Sequence, residues 1–253
     1  MKSRVLRKII FLMITVLMVG CFAYAEPALP IPNIDLNVKA AETPQEVALS
    51  LQILFILTIL SLAPSLLIML TSFTRIVIVL SFTRNALGTQ QMPSNQILIG
   101  LALFLTFFIM SPVFTEINDT AIRPFMEEQI SQEEAIEAAM KPIRNFMFKY
   151  TREKDIALFL KLGQLDSAVD LDQIPTRALI PAFIISELKT AFQIGFFLYI
   201  PFLIIDMVVA STLMSMGMMM LPPIMISMPF KILLFVMVDG WNLIVRSLIL
   251  GFS

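Results

Sequence analysis

The sequence predicts an all-α fold of integral membrane helical hairpins: about four hydrophobic helical segments with an amphipathic helical insert between them. Three observations carry this. The chain has 253 residues, 58% of them hydrophobic and only 15% charged, and a mean hydropathy of +0.86, whereas a soluble domain carries charge at roughly a quarter of its residues. The charges are unevenly spread and leave long, nearly uncharged runs of membrane-helix length. The polar middle of the chain repeats apolar residues at helical spacing.

The same composition excludes several classes. Histidine is absent and Cys21 is the only cysteine. That removes Cys–His and Ser–His–Asp catalysis, HExxH sites and zinc fingers. No clustered spacing suggests a carboxylate-only metal site, and no cofactor is expected. The formal net charge of −1 argues against nucleic acid, which calls for a basic face. No GxxxxGK[ST] motif is present for ATP. The chain reads as a non-enzyme.

Residues 1–25 read as a cleavable signal peptide. Lys2, Arg4, Arg7 and Lys8 form the basic region, IIFLMITVLMVG the apolar core, and Ala23-Tyr24-Ala25 the cleavage site, leaving Glu26 as the new N-terminus. A loose lipoprotein box at Met18–Cys21 is the rival, with Cys21 as a lipid anchor. Residues 26–46 are polar and contain Pro27, Pro30, Pro32 and Pro44, so they read as extended. Residues 47–114 form the first hydrophobic hairpin, with apolar runs at Val47–Leu70 and Ile97–Phe114 joined by a 71–96 connection.

Residues 115–180 form the polar insert. Ser131 and Glu134 make a capping box ahead of Ile136, Ala139, Met140, Ile143, Met147 and Tyr150 at helical spacing. A shorter helix, Thr151–Leu162, ends at Gly163, read as a left-handed cap. Residues 181–253 form the second hairpin, with runs at Ala191–Met220 and Ile224–Leu250. Arg75 and Arg84 lie in the 71–96 connection with no acid, while the insert holds eight basic against twelve acidic residues. Cytoplasmic loops carry the Lys and Arg excess. The insert and the C-terminus are therefore expected outside, and the last connection towards the cytoplasm.

Five charges lie in or beside the later runs: Glu187, Lys189, Asp206, Lys231 and Asp239. Ionisable groups at membrane depth need a partner or a wet cavity. Ser186, Lys189, Thr190 and Gln193 recur at intervals of three or four and share a stripe; Asp239, Asn242 and Arg246 make a second. Glu187 and Lys189, two apart, do not face each other. Asp206 and Lys231 flank the last connection, so an antiparallel hairpin there can bring them together. The stripes fit a polar lining or an inter-subunit network equally well. Oligomerisation is the economical shelter, because one copy has too few helices to enclose a wide channel.

The last connection itself is unusual. Between Met214 and Met228 lie seven of the eighteen methionines, including Met214, Met216 and the triplet Met218, Met219, Met220, followed by Pro222 and Pro223. Methionine is unbranched and adapts to surfaces of differing shape. Consecutive helix positions diverge by about 100°, so a triplet cannot share one narrow face. From the residues alone this is a flexible apolar loop, which several copies could bring to a common axis as a deformable plug.

Residues 181–195, PAFIISELKTAFQIG, and Pro229-Phe230-Lys231-Ile232-Leu233-Leu234-Phe235 with Asp239-Gly240-Trp241 resemble the two signatures of the FliP family. They stand in the right order with the Met loop between them, and the resemblance covers roughly residues 47–253. It implies a core subunit of the flagellar type III export gate at the basal body in the bacterial inner membrane. There it would form a homo-oligomeric ring, a pentamer in the family, within a helical funnel. Its partners would be FliQ-like and FliR-like subunits, other export-apparatus membrane proteins, membrane lipid and unfolded flagellar export substrates. Met218, Met219 and Met220, with Met214 and Met216 beside them, would be the gasket of the closed gate. Glu187, Lys189, Gln193, Asp206, Lys231 and Asp239 would be buried assembly or gate-lining positions. Two readings of other classes compete: a small-solute or ion transporter using the charges as a relay, and a scaffold without a pore.

Overall fold

A computed structural model describes residues 44–89, 91–165, 173–218 and 220–252. The proposed cleavage site at Ala25 and Glu26, and Cys21 with it, lies outside the described residues, as does Met219. Every regular element among the described residues is helical. In chain order they are α1 (Pro44–Met69), α2 (Phe73–Ala86), α3 (Asn95–Ile117), a π turn (Asn118–Ile122), α4 (Arg123–Met126), α5 (Gln132–Tyr150), α6 (Glu153–Leu162), α7 (Thr176–Ser215), α8 (Pro223–Met237) and α9 (Gly240–Leu250). The chain divides into two compact units, Met1–Leu54 and Phe55–Ser253.

The core of the second unit is built on α2, the segment expected to be only a connection. Phe73, Ile76, Val79, Leu80, Thr83 and Ala86 are buried and recur at three- and four-residue intervals, which puts them on one helical face. A run of β-branched residues, Ile76 to Val79, is a weak helix former. Packing outweighs that preference: α2 lies along α7 and also against α3. Arg75 and Arg84 mask this helix in the sequence, because two arginines near a turn read as a polar loop.

The second departure is α7, one continuous helix of 40 residues. It begins at Thr176 rather than at Ala191, and it runs through Pro181 and Pro201. Its polar first half is covered by α2 and α6, while its apolar second half packs on α8. Leu179, Ala182 and Phe183 are fully buried with Ile76, Leu80 and Met147. Where α2 passes closest, position 195 is glycine: a Cβ there would stand 2.6 Å from the Phe82 ring.

The insert forms as its local signals direct. Ser131 Oγ accepts from the Glu134 N–H, and the Glu134 carboxylate accepts from the Ser131 N–H at 2.8 Å, completing the capping box. The end of α6 needs a correction. Gly163 has φ −80°, and the left-handed residue is Gln164, at φ 52°. The Leu165 N–H reaches the Leu160 carbonyl and the Gln164 N–H that of Lys161, which is a Schellman closure. Glycine serves at 163 because a Cβ there would press on the Phe159 carbonyl at 3.1 Å.

Two helices, Asn95–Met126 and Thr176–Ser215, are long and apolar enough to cross a membrane; α8 and α9 qualify only as a pair bent by 63°. A shorter apolar helical stretch covers Ser50–Leu62. The four comparable segments expected from hydropathy are thus two full-length helices, one broken pair and one shorter stretch. Much of this surface is exposed and aromatic, including Phe104, Phe107, Phe108, Phe196 and Phe197. Apolar patches of that extent mark membrane or protein contact.

Candidate functional site

Seven residues, 216–222, join α7 to α8, and the backbone at both ends of this loop is fixed by its own chemistry. α7 stops at Met216, and Gly217 takes φ 76°, a conformation that side chains with a Cβ rarely adopt. The Met218 N–H reaches the Leu213 carbonyl and the Gly217 N–H that of Met214, again a Schellman closure. α8 then starts from Pro222 as cap and Pro223 at its first position, where a missing N–H is harmless. Between these stops Met218 and Met220 face outward. Met214, Met216 and Met218 are exposed, and Met220 is 98% exposed.

Behind the loop, α7 and α8 are joined by a polar brace. Lys231 Nζ lies 2.6 Å from Asp206 Oδ2, and the Ser227 hydroxyl donates to Asp206 Oδ1. Lys231 and Ser227 are buried. Asp206 lies nine residues before the end of α7 and Lys231 eight after the start of α8, which places the brace roughly 12–14 Å behind the loop at 1.5 Å per residue. The two charges that flank the loop in sequence therefore pair in space.

Glu187 is also fully buried, and its partner is Arg75 of α2. Arg75 Nε donates to Glu187 Oε2 at 2.9 Å and Nη2 to Oε1, a two-point geometry particular to arginine. The remaining Nη1 donates to the Gly251 carbonyl at 3.1 Å. The guanidinium lies 3.8 Å from the centre of the Phe252 ring, and the Tyr150 hydroxyl donates to the Phe252 carbonyl at 2.5 Å. One arginine thus gathers α2, α5, α7 and the end of the chain. The sequence presents Arg75 as a cytoplasmic loop charge; as a core residue it carries no weight in the orientation argument.

The Ser186–Gln193 stripe exists, and what it faces is α6. Asp155 is buried; it accepts from the Ser186 hydroxyl at 2.8 Å and from Lys189. The Arg152 N–H donates to Ser186 Oγ at 3.0 Å, and its guanidinium to Thr190 Oγ1 at 3.2 Å and Gln193 Oε1 at 2.7 Å. Burial pushes the Asp155 carboxyl up. The hydrogen bonds from Lys189 and Ser186, with the charges of Lys189 and Arg152, outweigh it and hold the group below its ordinary range. Lys189 and Gln193 remain open to solvent.

The second stripe meets no ion-pair partner among the described residues. Asp239, Asn242 and Arg246 are exposed, and no ion pair joins Asp239 or Arg246 to another described residue. Asp239 has φ 51° and forms the corner between α8 and α9. Sequence reasoning misses Arg75, Arg152 and Asp155. The acid-free 71–96 segment and the unpartnered Glu187 are the available signal for the first. Among the described residues no group of His, Cys, Asp and Glu could hold a metal ion.

An all-helical, strongly apolar subunit with buried ion pairs binding its helices and an exposed methionine loop between two of them defines a class: a membrane component built to assemble with other chains. The chain belongs to the FliP family, whose pattern matches residues 56–248. It is 60% identical over 220 residues to the flagellar biosynthetic protein FliP of Bacillus subtilis, covering 87% of this chain and all of that one. It is 57% identical over 208 residues to FliP of Pectobacterium carotovorum, 82% of this chain and 81% of the relative. With FliP of Aquifex aeolicus the identity is 51% over 225 residues, 88% and 92%.

Proposed function

We propose that this chain is a core, non-catalytic subunit of the flagellar type III export gate in the bacterial inner membrane. Further copies and FliQ-like and FliR-like subunits complete a conduit for unfolded flagellar proteins, and the 214–220 methionines close it at rest. One observation carries the reading: Met216, Met218 and Met220 are exposed on a loop whose two ends are fixed by Gly217 and by Pro222-Pro223. Unbranched thioether side chains on a fixed base seal against one another and still yield to a passing chain. The Asp206–Lys231 brace keeps that base from spreading. The apolar faces of α3 and α7 supply surface for partner subunits and lipid.

The polar stripes bear on the rival reading. An ion relay needs titratable groups along a path, whereas the Ser186–Gln193 stripe is occupied by Arg152 and Asp155. That leaves structural adhesion as its task and favours a gate subunit over a small-solute transporter. Residues 1–25 act in this reading as a signal that is removed, with Glu26 the first residue of the mature protein.

Cysteine accessibility tests the gate. Met220→Cys, with Cys21 replaced by Ser, is assembled with its partners and treated with a membrane-impermeant maleimide from each side. Labelling from the water phase, blocked by a stalled export substrate, is the expected result. A scaffold without a lumen would leave the cysteine unlabelled from both sides, or labelled regardless of substrate.

A further inference from the structure

Three thioethers stand in the open on the loop between α7 and α8. Met216 and Met218 are exposed and Met220 almost wholly so, whereas Met110 and Met147 are buried in the core. The sulfur is what separates methionine from leucine at such a place. Both side chains are apolar and of similar volume, but only methionine is oxidised to a sulfoxide, and the product can be reduced again.

The loop's own chemistry decides what that oxidation does. Residues 216–222, MGMMMLP, contain no polar side chain, and no charged residue lies between Asp206 and Lys231. A hydrophobic constriction holds back ions by staying dry. A sulfoxide carries a strong dipole and an oxygen that accepts hydrogen bonds, so it brings water to the place where a seal depends on its absence. Gly217 at φ 76° and Pro222-Pro223 fix both ends of the loop, and the Met218 N–H is tied to the Leu213 carbonyl at 3.0 Å. The oxidised side chains therefore stay at the loop.

We infer that Met216, Met218 and Met220 are a site of reversible oxidation by peroxides, and that their sulfoxides open the resting seal. The inference rests on the reading of this loop as the seal of a conduit. In the oxidation step a sulfur lone pair attacks one peroxide oxygen, and the S–O bond forms as the O–O bond breaks. The departing hydroxide takes the proton of the transferred oxygen and leaves as water. Sulfur loses two electrons and the peroxide gains them. A methionine sulfoxide reductase reverses the change: a dithiol becomes a disulfide, and the oxygen leaves as water.

The test uses the complex with its partner subunits, carrying Cys21→Ser, reconstituted in vesicles. Hydrogen peroxide is added, and ion efflux and peptide mass spectrometry are followed together. Met216, Met218 and Met220 each gain one oxygen well before Met110 or Met147, and the leak rises several-fold with them. Methionine sulfoxide reductases A and B with dithiothreitol return both to their starting levels. In a chain carrying Met216→Leu, Met218→Leu, Met219→Leu and Met220→Leu, peroxide no longer changes the leak, whatever its resting value. Three results overturn the inference: sulfoxides on the loop with no added leak, loop methionines oxidised no faster than Met110 and Met147, or a peroxide response that persists in the leucine chain. A chain with Met218, Met219 and Met220 replaced by glycine, in the same vesicles, separates these failures from a failure of the gate reading. If it leaks, the seal stands and only its oxidation falls; if it is as tight as the unaltered chain, the seal itself falls.

Discussion

At the residue scale the fold depends on two ion pairs that join segments far apart in the chain, and they predict different behaviour. Arg75 and Glu187 are both buried, and removing one partner leaves the other charge unsatisfied. Glu187→Ala should therefore cost about 3–5 kcal/mol, read as a large fall in the melting temperature of the purified protein. A loss below about 1 kcal/mol would mean that water reaches Arg75. Asp155 carries a pH signature because its folded carboxyl lies below the ordinary value of 3.8. Its contribution is present above that value and fades as the pH falls through the folded pKa. Proteolysis of the 150–165 region should be the same at pH 7 and pH 5 and increase only below about pH 4. Asp155→Asn should remove that acid step.

At the element scale, what is legible in the sequence is local, and what is hidden is distant. The α5 capping box stands or falls within four residues, and Ser131 and Glu134 announce it. The Ser186–Gln193 stripe is visible by period, but its partner helix is not, because Arg152 and Asp155 lie more than 30 residues upstream. Helix α2 is lost for the same reason: Arg75 reads as a solvated charge until Glu187, 112 residues away, is placed beside it. Gly195 gives a test of that α2–α7 packing. Glycine to alanine inside a helix ordinarily stabilises by about 1 kcal/mol. Here the added methyl would meet Phe82 at 2.6 Å, so Gly195→Ala should destabilise by about 1–3 kcal/mol, measured by thermal unfolding in detergent. Stabilisation instead would show that α2 can move away without penalty.

At the scale of the whole molecule, the described chain satisfies its buried charges internally and leaves its apolar and methionine surfaces to others. Glu187, Asp155 and Lys231 are paired within one copy, so these charges serve adhesion between helices. Hydropathy locates the apolar segments but not their form: α7 extends 15 residues further towards the N-terminus than its apolar run, because its polar beginning is sheltered by α2 and α6. The 216–222 loop reflects this division. Its base is held by Gly217, by Pro222-Pro223 and by the Asp206–Lys231 brace, and Met218 and Met220 on it are exposed. Asp206→Asn, which keeps an acceptor for Lys231 and Ser227 while weakening the brace, should leave the assembled complex intact but raise its resting ion leak several-fold. A complex that leaks no more than the unaltered one would show that the brace does not set the loop.

The most direct measurement of the central claim is membrane potential in cells that express the chain with its partner subunits. Met218, Met219 and Met220 are replaced together by glycine, and assembly is checked on native gels. The account predicts depolarisation in the variant, with the complex still assembled and the unaltered chain tight. An assembled variant that holds its potential and exports normally would contradict it, and would make the methionines packing rather than a seal.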